Sequence, residues 1–384
     1  MYAGLLALFA RLPTDLREGS NDLRIYRDTG EAVLRGEVPY RGFFLEYPPG
    51  SIPTFLPPAL LSDDRSGYIQ LFASEMALVL VAALVLTALT ARRLRGASAW
   101  PVPAFAFASS AILLYPVAVT RYDAVVALTL ALAALCATLG GRYLLIAYAS
   151  LGFGAAAKLV PALATLPLAL LRHTAVRGSA VFFAVLALFF GSALLFGGGG
   201  FLESFAYHAD RGLQVESLAA SILMMLGLVG GVAFEYGAFE VEGPMADLAA
   251  SLSLPFTGAL VLFTALAMYR EHRAGRFGAE AFPRYAAALI LAFMLGSKVL
   301  SPQYMIWLLP LVPLSFGGLA GAGVSLVLLA ACLATTQVFP THYADLLNAR
   351  YPGPELLLGR NLLLVLLWGL LLLLPGKTPE KGAP

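Results

Sequence analysis

Long apolar runs alternate with short polar segments along almost the whole chain, and this pattern predicts a bundle of membrane-spanning helices. A bilayer offers no water to the backbone, so a spanning segment has to satisfy its own hydrogen bonds as a helix. We therefore expect an all-α polytopic membrane protein with about 11–12 transmembrane helices, folded as a single domain over residues 1–384. The eleven clearest runs, several of them short and bounded by Pro, are residues 71–90, 100–118, 124–139, 143–157, 159–171, 179–196, 251–268, 285–295, 305–314, 318–334 and 362–374.

Two further apolar segments do not fit a full membrane span. Residues 1–10 are apolar but only about half as long as a span requires, and they lack the basic start and the cleavage site of a signal peptide. Either a first helix is unusually short or the true start of the protein lies upstream of Met1, and we favour the second. Residues 222–234 are apolar but rich in Gly, and we expect a re-entrant or interfacial segment there.

The longest polar, charge-rich stretch of the chain is residues 22–50. Good N-cap residues stand at positions 20–22 and Gly36 is a good helix stop, so a helix is predicted between them. Its apolar face would consist of Ile25, Thr29, Ala32 and Val33. Asp22 and Tyr26 are four residues apart and would share a face, and the helix dipole favours an anion at the start of a helix. Asp22 is therefore either a simple helix cap or a functional acid.

The composition supports a membrane protein and excludes several other classes. The chain is 59% hydrophobic and 12% charged, with a mean hydropathy of +0.80, whereas a soluble domain carries roughly twice that share of charge. The net charge is +2 and no dense basic run is present, so nothing indicates binding to nucleic acid. The two cysteines, Cys136 and Cys332, lie inside apolar runs and are expected to be small core residues.

The distribution of Lys and Arg indicates an orientation. Once the long N-terminal loop is set aside, these residues are more frequent in the segments that we place inside, which are 92–95, 142, 172–177, 270–284 and 377–381. The outer loops are then 12–70, 197–250 and 338–360. With this orientation the polar groups converge on the outer face of the membrane, namely Asp22, Arg121, Asp123, Lys158, His208, Arg211, Lys298 and Gln303.

Ionisable groups at the ends of apolar spans are costly, and most of them face a cavity. Glu75 lies within a span and is either a site residue or part of a helix-packing hydrogen bond. Arg121 and Asp123 begin a span, and they could simply pair with each other at the interface. Lys158 lies between two short spans and could reach water along its flexible stem. Short helices would place its ammonium deep, however, which favours an anionic partner.

Two polar segments of the outer face add cations and hydrogen-bonding groups. Residues 207–217 contain His208, Arg211, Gln214 and Glu216. The planar fork of an Arg guanidinium suits phosphate oxygens, although a solvated loop is the alternative interpretation. Residues 297–304 join two apolar runs and contain Lys298, Gln303 and Tyr304.

One carboxylate opposite several cations suits a transferase whose donor is a sugar on a lipid phosphate. Such a reaction needs one general base to take the proton of the acceptor hydroxyl as it attacks the anomeric carbon. The departing lipid phosphate is a stable anion, so no second carboxylic acid has to protonate it, in contrast to glycoside hydrolysis. The leaving phosphate instead needs cations and donors fixed around its developing charge.

Six motifs, which run from about Asp22 to Pro310, resemble those of glycosyltransferase family 87. They are DLRIY, RGEVPY, FLEYPPG, AAAKLVPALATLPL, HADRGLQVES and SKVLSPQYMIWLLP. Members of that family are polyprenol-phosphate-mannose-dependent mannosyltransferases of the GT-C superfamily. The resemblance implies a GT-C-type helical bundle with an outer-face first loop that carries short helices.

The resemblance also implies roles for individual residues. The general base of the family is an Asp at the DL-x-x-Y position of the first outer loop, which is Asp22 in this chain. Matching motifs place Lys158 and the loop of His208 and Arg211 at the lipid phosphate, and they add Asp123. The remaining candidates for substrate binding are Tyr26, Tyr40, Glu46, Tyr47, Arg121, Gln214, Glu216, Lys298, Gln303 and Tyr304. Family members usually work without a bound metal, so no metal or other cofactor is expected.

Together these observations predict a multi-pass cell-membrane enzyme that transfers a hexose, with mannose as the first expectation. The donor would be a polyprenyl-phosphate sugar, the acceptor a glycolipid or glycan on the outer face, and the anomeric centre would invert. Its other partners would be membrane lipids. Two further classes remain open, namely a sugar or lipid transporter or flippase, which usually shows internal repeats, and a non-catalytic subunit of envelope-glycan assembly.

Overall fold

The computed structural model describes residues 1–13, 21–171 and 175–375. The candidate N-cap at position 20 and the inner segment 377–381 lie outside the described residues, as does part of the inner segment 172–177. The helices are α1 (Tyr2–Ala10), α2 (Asn21–Leu34), α3 (Leu56–Leu61), α4 (Arg65–Arg95), α5 (Pro101–Leu113), α6 (Tyr115–Ala118), α7 (Asp123–Leu139), α8 (Tyr143–Ala157), α9 (Thr165–Ala169), α10 (Ala175–Gly197), α11 (Gly199–Asp210), α12 (Leu218–Met225), α13 (Pro244–Arg273), α14 (Ala281–Gly296), α15 (Gly318–Thr336), α16 (Tyr343–Leu347) and α17 (Gly353–Leu373). The strands are β1 (Leu213–Gln214), β2 (Gly231–Glu235) and β3 (Ala238–Glu242), and short 3₁₀ segments cover Pro49–Thr54, Val160–Ala164, Pro302–Leu308 and Val312–Leu314.

The prediction of a helical membrane protein is confirmed. Within the described residues, five helical segments are long and apolar enough to cross a bilayer. They are α4, α10, α13, α17 and the segment Gly318–Thr341, which joins α15 to a π-helical turn. Five shorter apolar helical segments accompany them, namely α5, α7, α8, α14 and residues Val160–Ala169.

Three predicted spans are not single α-helices, and the first of them, residues 100–118, is divided at Leu114 into α5 and α6. Residues 159–171 form the 3₁₀ segment Val160–Ala164 followed by the five-residue α9. Residues 305–314 contain parts of two 3₁₀ segments, which a turn at residues 309–311 separates. The reason is the spacing of Pro, which lacks an N–H and clashes with the preceding helical turn. Residues 305–316 are all buried, so protein and not lipid surrounds this irregular backbone.

A small antiparallel sheet, which the hydrophobic pattern did not predict, lies in the predicted second outer loop. Its strand order is β1-β3-β2, and Val241 of β3 lies opposite both Leu213 and Val232. Tyr236 and Gly237 form the hairpin turn, with φ of 46° and 72°. The apolar segment 222–234 is therefore the end of α12, a loop and most of β2, and it does not span the membrane.

The polar N-terminal stretch forms the predicted helix, α2, but the face that it buries differs from the predicted one. Gly36 lies just beyond the helix with φ of 84°, a left-handed conformation that favours Gly at a helix end. The buried residues are Leu23, Tyr26, Thr29, Gly30 and Ala32, so Ile25 and Val33 are only half-buried. Tyr26 turns the helix inward because its ring stacks on Phe55 with 4.5 Å between centroids. The start of α2, with Asp22 in its first turn, is thereby fixed against the bundle.

Candidate functional site

A cavity of about 430 Å³ lies where α2, α8, α11, the sheet and the 3₁₀ segment Pro302–Leu308 meet. These elements are far apart in sequence, and each contributes a polar end or loop. The cavity brings together eleven of the fifteen predicted site residues, which are Asp22, Glu46, Tyr47, Arg121, Lys158, His208, Arg211, Gln214, Glu216, Gln303 and Tyr304. A carboxylate and several cations therefore share one cavity.

Both carboxylate oxygens of Asp22 are held by neighbours. The Tyr47 hydroxyl donates to Oδ1 at 2.6 Å, and Nη2 of Arg121 lies 2.9 Å from Oδ2. The Asp22 side chain keeps 29% of its exposure, so it remains accessible from the cavity. A carboxylate with fixed orientation and an open face is suited to accept a proton from a bound hydroxyl.

Lys158 extends from the end of α8 into a cage of aromatic rings. Its Nζ lies 5.2 Å from the ring centroid of Tyr122, 5.1 Å from that of Tyr304 and 5.2 Å from that of Trp307. The ammonium also donates to Oδ1 of Asp123 at 2.8 Å. Lys158 therefore has an anionic partner within the bundle, and its side chain keeps 18% of its exposure.

Arg121 and Asp123 do not form the simple interfacial pair considered above, because the structure gives each a partner from another element. Arg121 reaches Asp22 at the start of α2, and Asp123 accepts from Lys158 at the end of α8. Asp123 is 1% exposed and does not line the cavity. The two acids and two cations thus connect α2, α7 and α8 at the same end of the bundle.

His208 and Arg211 lie at the end of α11 and face the same space. Nε2 of His208 is 2.8 Å from the carbonyl oxygen of Glu46. Burial lowers the pKa of His208, and the positive charges of Arg211, Lys158 and Lys298 lower it further. His208 is therefore a neutral hydrogen-bonding group at neutral pH, placed among cations.

Lys298 supports the cavity without lining it. Its Nζ donates to the carbonyl oxygens of Ala209, at 2.8 Å, and of Arg211, two backbone acceptors at the end of α11. Gln214 is fixed in a similar way, since its amide donates to Glu216 at 3.1 Å and its carbonyl accepts from the backbone of Leu300 at 2.8 Å. These contacts hold the loop that carries Arg211 against the segment 297–301.

Two further carboxyl groups line the cavity. Burial raises the pKa of Glu46, and the negative charge of Asp22 raises it further. Burial also raises the pKa of Glu216 to about 7, since this side chain is only 2% exposed. Both acids therefore hold a proton more readily than an exposed glutamate and can act as hydrogen-bond donors.

The other predicted residues outside the cavity lie behind it. Tyr26 packs under Tyr47 with 5.3 Å between ring centroids, and the Tyr40 hydroxyl donates to the carbonyl oxygen of Tyr47 at 2.7 Å. Both therefore position Tyr47. Glu75 lies in α4 and does not line the cavity.

Several aromatic residues of the cavity were missed by the sequence analysis. Tyr122 and Trp307 belong to polar motifs that had been singled out, and their position beside Arg121 and Tyr304 could have identified them. The hairpin residues had no such signal, because their apolar pattern also fits a membrane-associated segment. The missed lining residues of this second group are Phe234, Tyr236 and Phe239.

The described residues contain no group of three His, Cys, Asp or Glu side chains arranged to hold a metal ion. The sequence-based expectation of a metal-free site stays a prediction.

Comparison with solved structures finds similar chains, one of which has a TM-score above 0.5. ArnT from Cupriavidus metallidurans bound to undecaprenyl phosphate is 14% identical, with a TM-score of 0.51 over 97% of this chain and 76% of that chain. Its apo state is 13% identical, with a TM-score of 0.48 over 96% and 78%. The apo oligosaccharyltransferase of Archaeoglobus fulgidus is 14% identical, with a TM-score of 0.44 over 99% and 57%. No curated protein matches the sequence.

Comparison with protein families gives a more specific result. The sequence model of glycosyltransferase family 87 matches residues 44–302, which is more than half of the 384 residues. This range includes Glu46, Lys158, Arg211 and the segment around Lys298, all of which surround the cavity. The chain, a multi-pass membrane protein with a GT-C-type fold, therefore belongs to glycosyltransferase family 87.

Proposed function

We propose that this protein transfers a hexose, with mannose as the first choice, from a polyprenyl-phosphate sugar to an acceptor hydroxyl. The observation that carries the proposal is the single cavity in which Asp22 faces Arg121, Lys158, His208 and Arg211. A base and a set of cations in one space match a donor whose leaving group is a phosphate.

In the proposed reaction, the acceptor oxygen attacks the anomeric carbon while its proton passes to the Asp22 carboxylate. The bond between the anomeric carbon and the phosphate oxygen breaks, and its electron pair stays on that oxygen. The products are a new glycoside with inverted anomeric configuration and a polyprenyl phosphate. The phosphate thereby gains one negative charge, so cations around it stabilise the transition state more than the bound donor.

The cations divide into two groups by their contacts. Arg121 is paired with Asp22 at 2.9 Å and would orient the base. Lys158 and Arg211 lie on other elements of the cavity lining, and they would bind the phosphate together with the neutral His208. The Arg211 guanidinium is 13% exposed and lies 3.8 Å from Glu240, so it is held near the surface of the cavity.

A lipid-linked donor is further supported by the fold. ArnT, which shares that fold, has been crystallised with undecaprenyl phosphate. The resemblance to the family favours mannose, and the distribution of Lys and Arg along the chain favours a site on the outer face of the membrane. We propose a glycolipid or a glycan end as the acceptor.

The test is a transfer assay with polyprenyl-phosphate-mannose and membrane glycolipids. Asp22→Asn removes the base without changing the side-chain size, so transfer should fall at least about a thousandfold, within the range known for acid–base catalysis. Asp28→Asn removes an exposed acid of the same helix and should leave transfer unchanged. Full activity of a folded Asp22→Asn variant would eliminate the base assignment, and a wild-type protein that transfers no sugar from lipid-phosphate donors would eliminate the function.

A further inference from the structure

We propose that Asp123 is a positioning residue, whose carboxylate, fixed by the indole of Trp307, orients the Lys158 ammonium towards the donor phosphate. The inference rests on the proposed function, in which Lys158 is a phosphate ligand. It differs from the role that the sequence suggested for Asp123, because the carboxylate would not contact the substrate.

The contacts of Asp123 separate it from the substrate space. Asp123 is 1% exposed and does not line the cavity, whereas Lys158 does. Oδ1 of Asp123 accepts from Nζ of Lys158 at 2.8 Å and from Nε1 of Trp307 at 2.7 Å. The carboxylate can therefore influence a bound donor through the two lining residues that it contacts, Lys158 and Trp307, but has no direct route to the donor.

The aromatic rings restrict where the ammonium can go. The rings of Tyr304 and Trp307 stack with 4.0 Å between their centroids. Tyr122 directly precedes Asp123 in the sequence. The Lys158 ammonium lies within about 6 Å of the centroid of each of the three rings, which is the range of a cation–π contact. Ring faces attract the cation without accepting a strong hydrogen bond from it.

The arrangement leaves part of the ammonium free for a phosphate. A Lys ammonium has three N–H donors, and Asp123 takes one of them. A lysine side chain is otherwise a flexible stem with a mobile charge. If the ammonium is fixed before the donor binds, it does not have to move when the phosphate gains its second negative charge. The fixed ammonium therefore lowers the energy of the transition state.

A double-mutant cycle tests whether Asp123 acts through Lys158. The variants are Asp123→Asn, Lys158→Met and the double variant, assayed for kcat and KM of polyprenyl-phosphate-mannose per amount of folded protein. We expect each single variant to lower kcat/KM by about 10- to 100-fold, chiefly through kcat. In the Lys158→Met background, Asp123→Asn should cause no further loss, because the group that it positions is already absent.

A second variant keeps the test decisive if Asp123→Asn does not fold. Trp307→Phe retains a ring beside Lys158 but removes the indole N–H, and it should lower kcat in the wild-type background and not in Lys158→Met. The matched control is Trp368→Phe, which removes the corresponding N–H donation to Thr264 at 3.1 Å away from the cavity. This control should leave kcat and KM unchanged.

Three results would overturn the inference while the wild-type enzyme still transfers sugar. The first is a multiplicative loss in the double variant, which would show that Asp123 acts independently of Lys158. The second is an unchanged or raised kcat/KM in folded Asp123→Asn or Trp307→Phe. The third is an equal loss in Trp368→Phe. Failure of the proposed function is distinct, since then the wild-type protein itself would show no transfer.

Discussion

Each of the two carboxylates at the centre of the site is held by a cation from another part of the chain. Arg121, between α6 and α7, reaches Asp22 in α2, and Lys158, at the end of α8, reaches Asp123 in α7. Mostly buried ion pairs of this kind fix orientation more reliably than they add stability. The same residues therefore set the direction in which Asp22 and Lys158 present their charges.

The Arg121 contact gives a prediction for catalysis. Arg121→Gln removes the charge beside Asp22 and one of the two contacts that orient the carboxylate, so we expect kcat to fall about 10- to 100-fold. Steady-state transfer of mannose from the lipid-phosphate donor is the measurement. Arg35→Gln, which removes an exposed Arg paired with Glu37 at 2.9 Å, is the control and should change kcat by less than about twofold. A fully active Arg121→Gln would show that Asp22 is positioned by other groups.

The buried carboxyl of Glu216 gives a prediction for stability. Its pKa is raised from 4.5 to about 7 in the folded protein, so between these pH values the folded state binds more protons than the unfolded state. The free energy of unfolding should therefore fall as pH rises through this window, by up to about 3 kcal/mol from this group. Thermal unfolding in detergent, measured at several pH values between these two pKa values, tests this fall in stability.

Glu216→Gln keeps a hydrogen-bonding side chain that does not titrate, so its unfolding temperature should fall less steeply with pH. Glu242→Gln, on the exposed end of β3, should leave the slope as it is in the wild type. His208 gives a pH dependence of the opposite sign. Its pKa is lowered in the folded state, so the free energy of unfolding rises with pH from that lowered pKa up to the ordinary pKa of histidine. An unchanged slope in Glu216→Gln would contradict the assigned burial of this acid.

At the scale of elements, Arg284 joins three helices away from the cavity. It is 3% exposed, contacts both oxygens of Glu271 in α13 at 3.1 and 3.2 Å, and donates to the carbonyl oxygens of Leu371, Leu372 and Leu374 at the end of α17. One guanidinium from α14 therefore satisfies several of the acceptors that a helix end leaves unpaired.

Arg284→Met should destabilise the fold by roughly 3–5 kcal/mol, because it leaves Glu271 and the α17 carbonyl groups without their buried partner. The measurement is thermal unfolding in detergent, with transfer per folded molecule expected to stay at the wild-type level. Arg273→Gln, at the exposed end of α13, is the control and should unfold at the wild-type temperature. An equally stable Arg284→Met would mean that water or another side chain replaces the guanidinium.

The helices and strands also show which parts of the secondary structure can be predicted from sequence patterns. The long spans follow from length and apolarity, and Gly36 marks a real helix end because few other residues adopt its φ of 84°. The segments 159–171 and 305–314 are not continuous helices, and the pattern did not reveal strand β2 at the end of 222–234, since an apolar run alone does not distinguish a continuous helix from Pro-broken turns or a strand. Strand β2 depends on its partner β3, and pairing of that kind is a property of the tertiary fold.

The site was partly predictable for a different physical reason. A charged side chain in an apolar chain is costly and usually faces a cavity, so Lys158 and Arg211 indicated a polar site. The assigned orientation and the resemblance to the family suggested that Asp22 belongs to the same site. Their partners were not predictable, because the pairing of Asp123 with Lys158 and Trp307 depends on how α7, α8 and the 3₁₀ segment Pro302–Leu308 pack together. The hairpin residues that complete the lining required the sheet to be known.

At the scale of the whole molecule, the bundle holds a charged cavity at one end of an apolar body. The cavity contains cations from loops that are far apart in sequence, surrounded by helices whose other faces are apolar and exposed. In such low-dielectric surroundings, fixed positive charges interact strongly with a phosphate. The long apolar helices suit a donor whose reactive phosphate is attached to a hydrocarbon chain.

The proposed reaction is a direct displacement at the anomeric carbon of a lipid-phosphate sugar, with one base and no glycosyl-enzyme intermediate. The most direct measurement is the anomeric configuration of the product, determined by NMR after the purified protein acts on polyprenyl-phosphate-mannose and an acceptor. The product should have the anomeric configuration opposite to that of the donor. A product that retains the donor configuration, or no transfer from any polyprenyl-phosphate sugar, would contradict the proposed reaction.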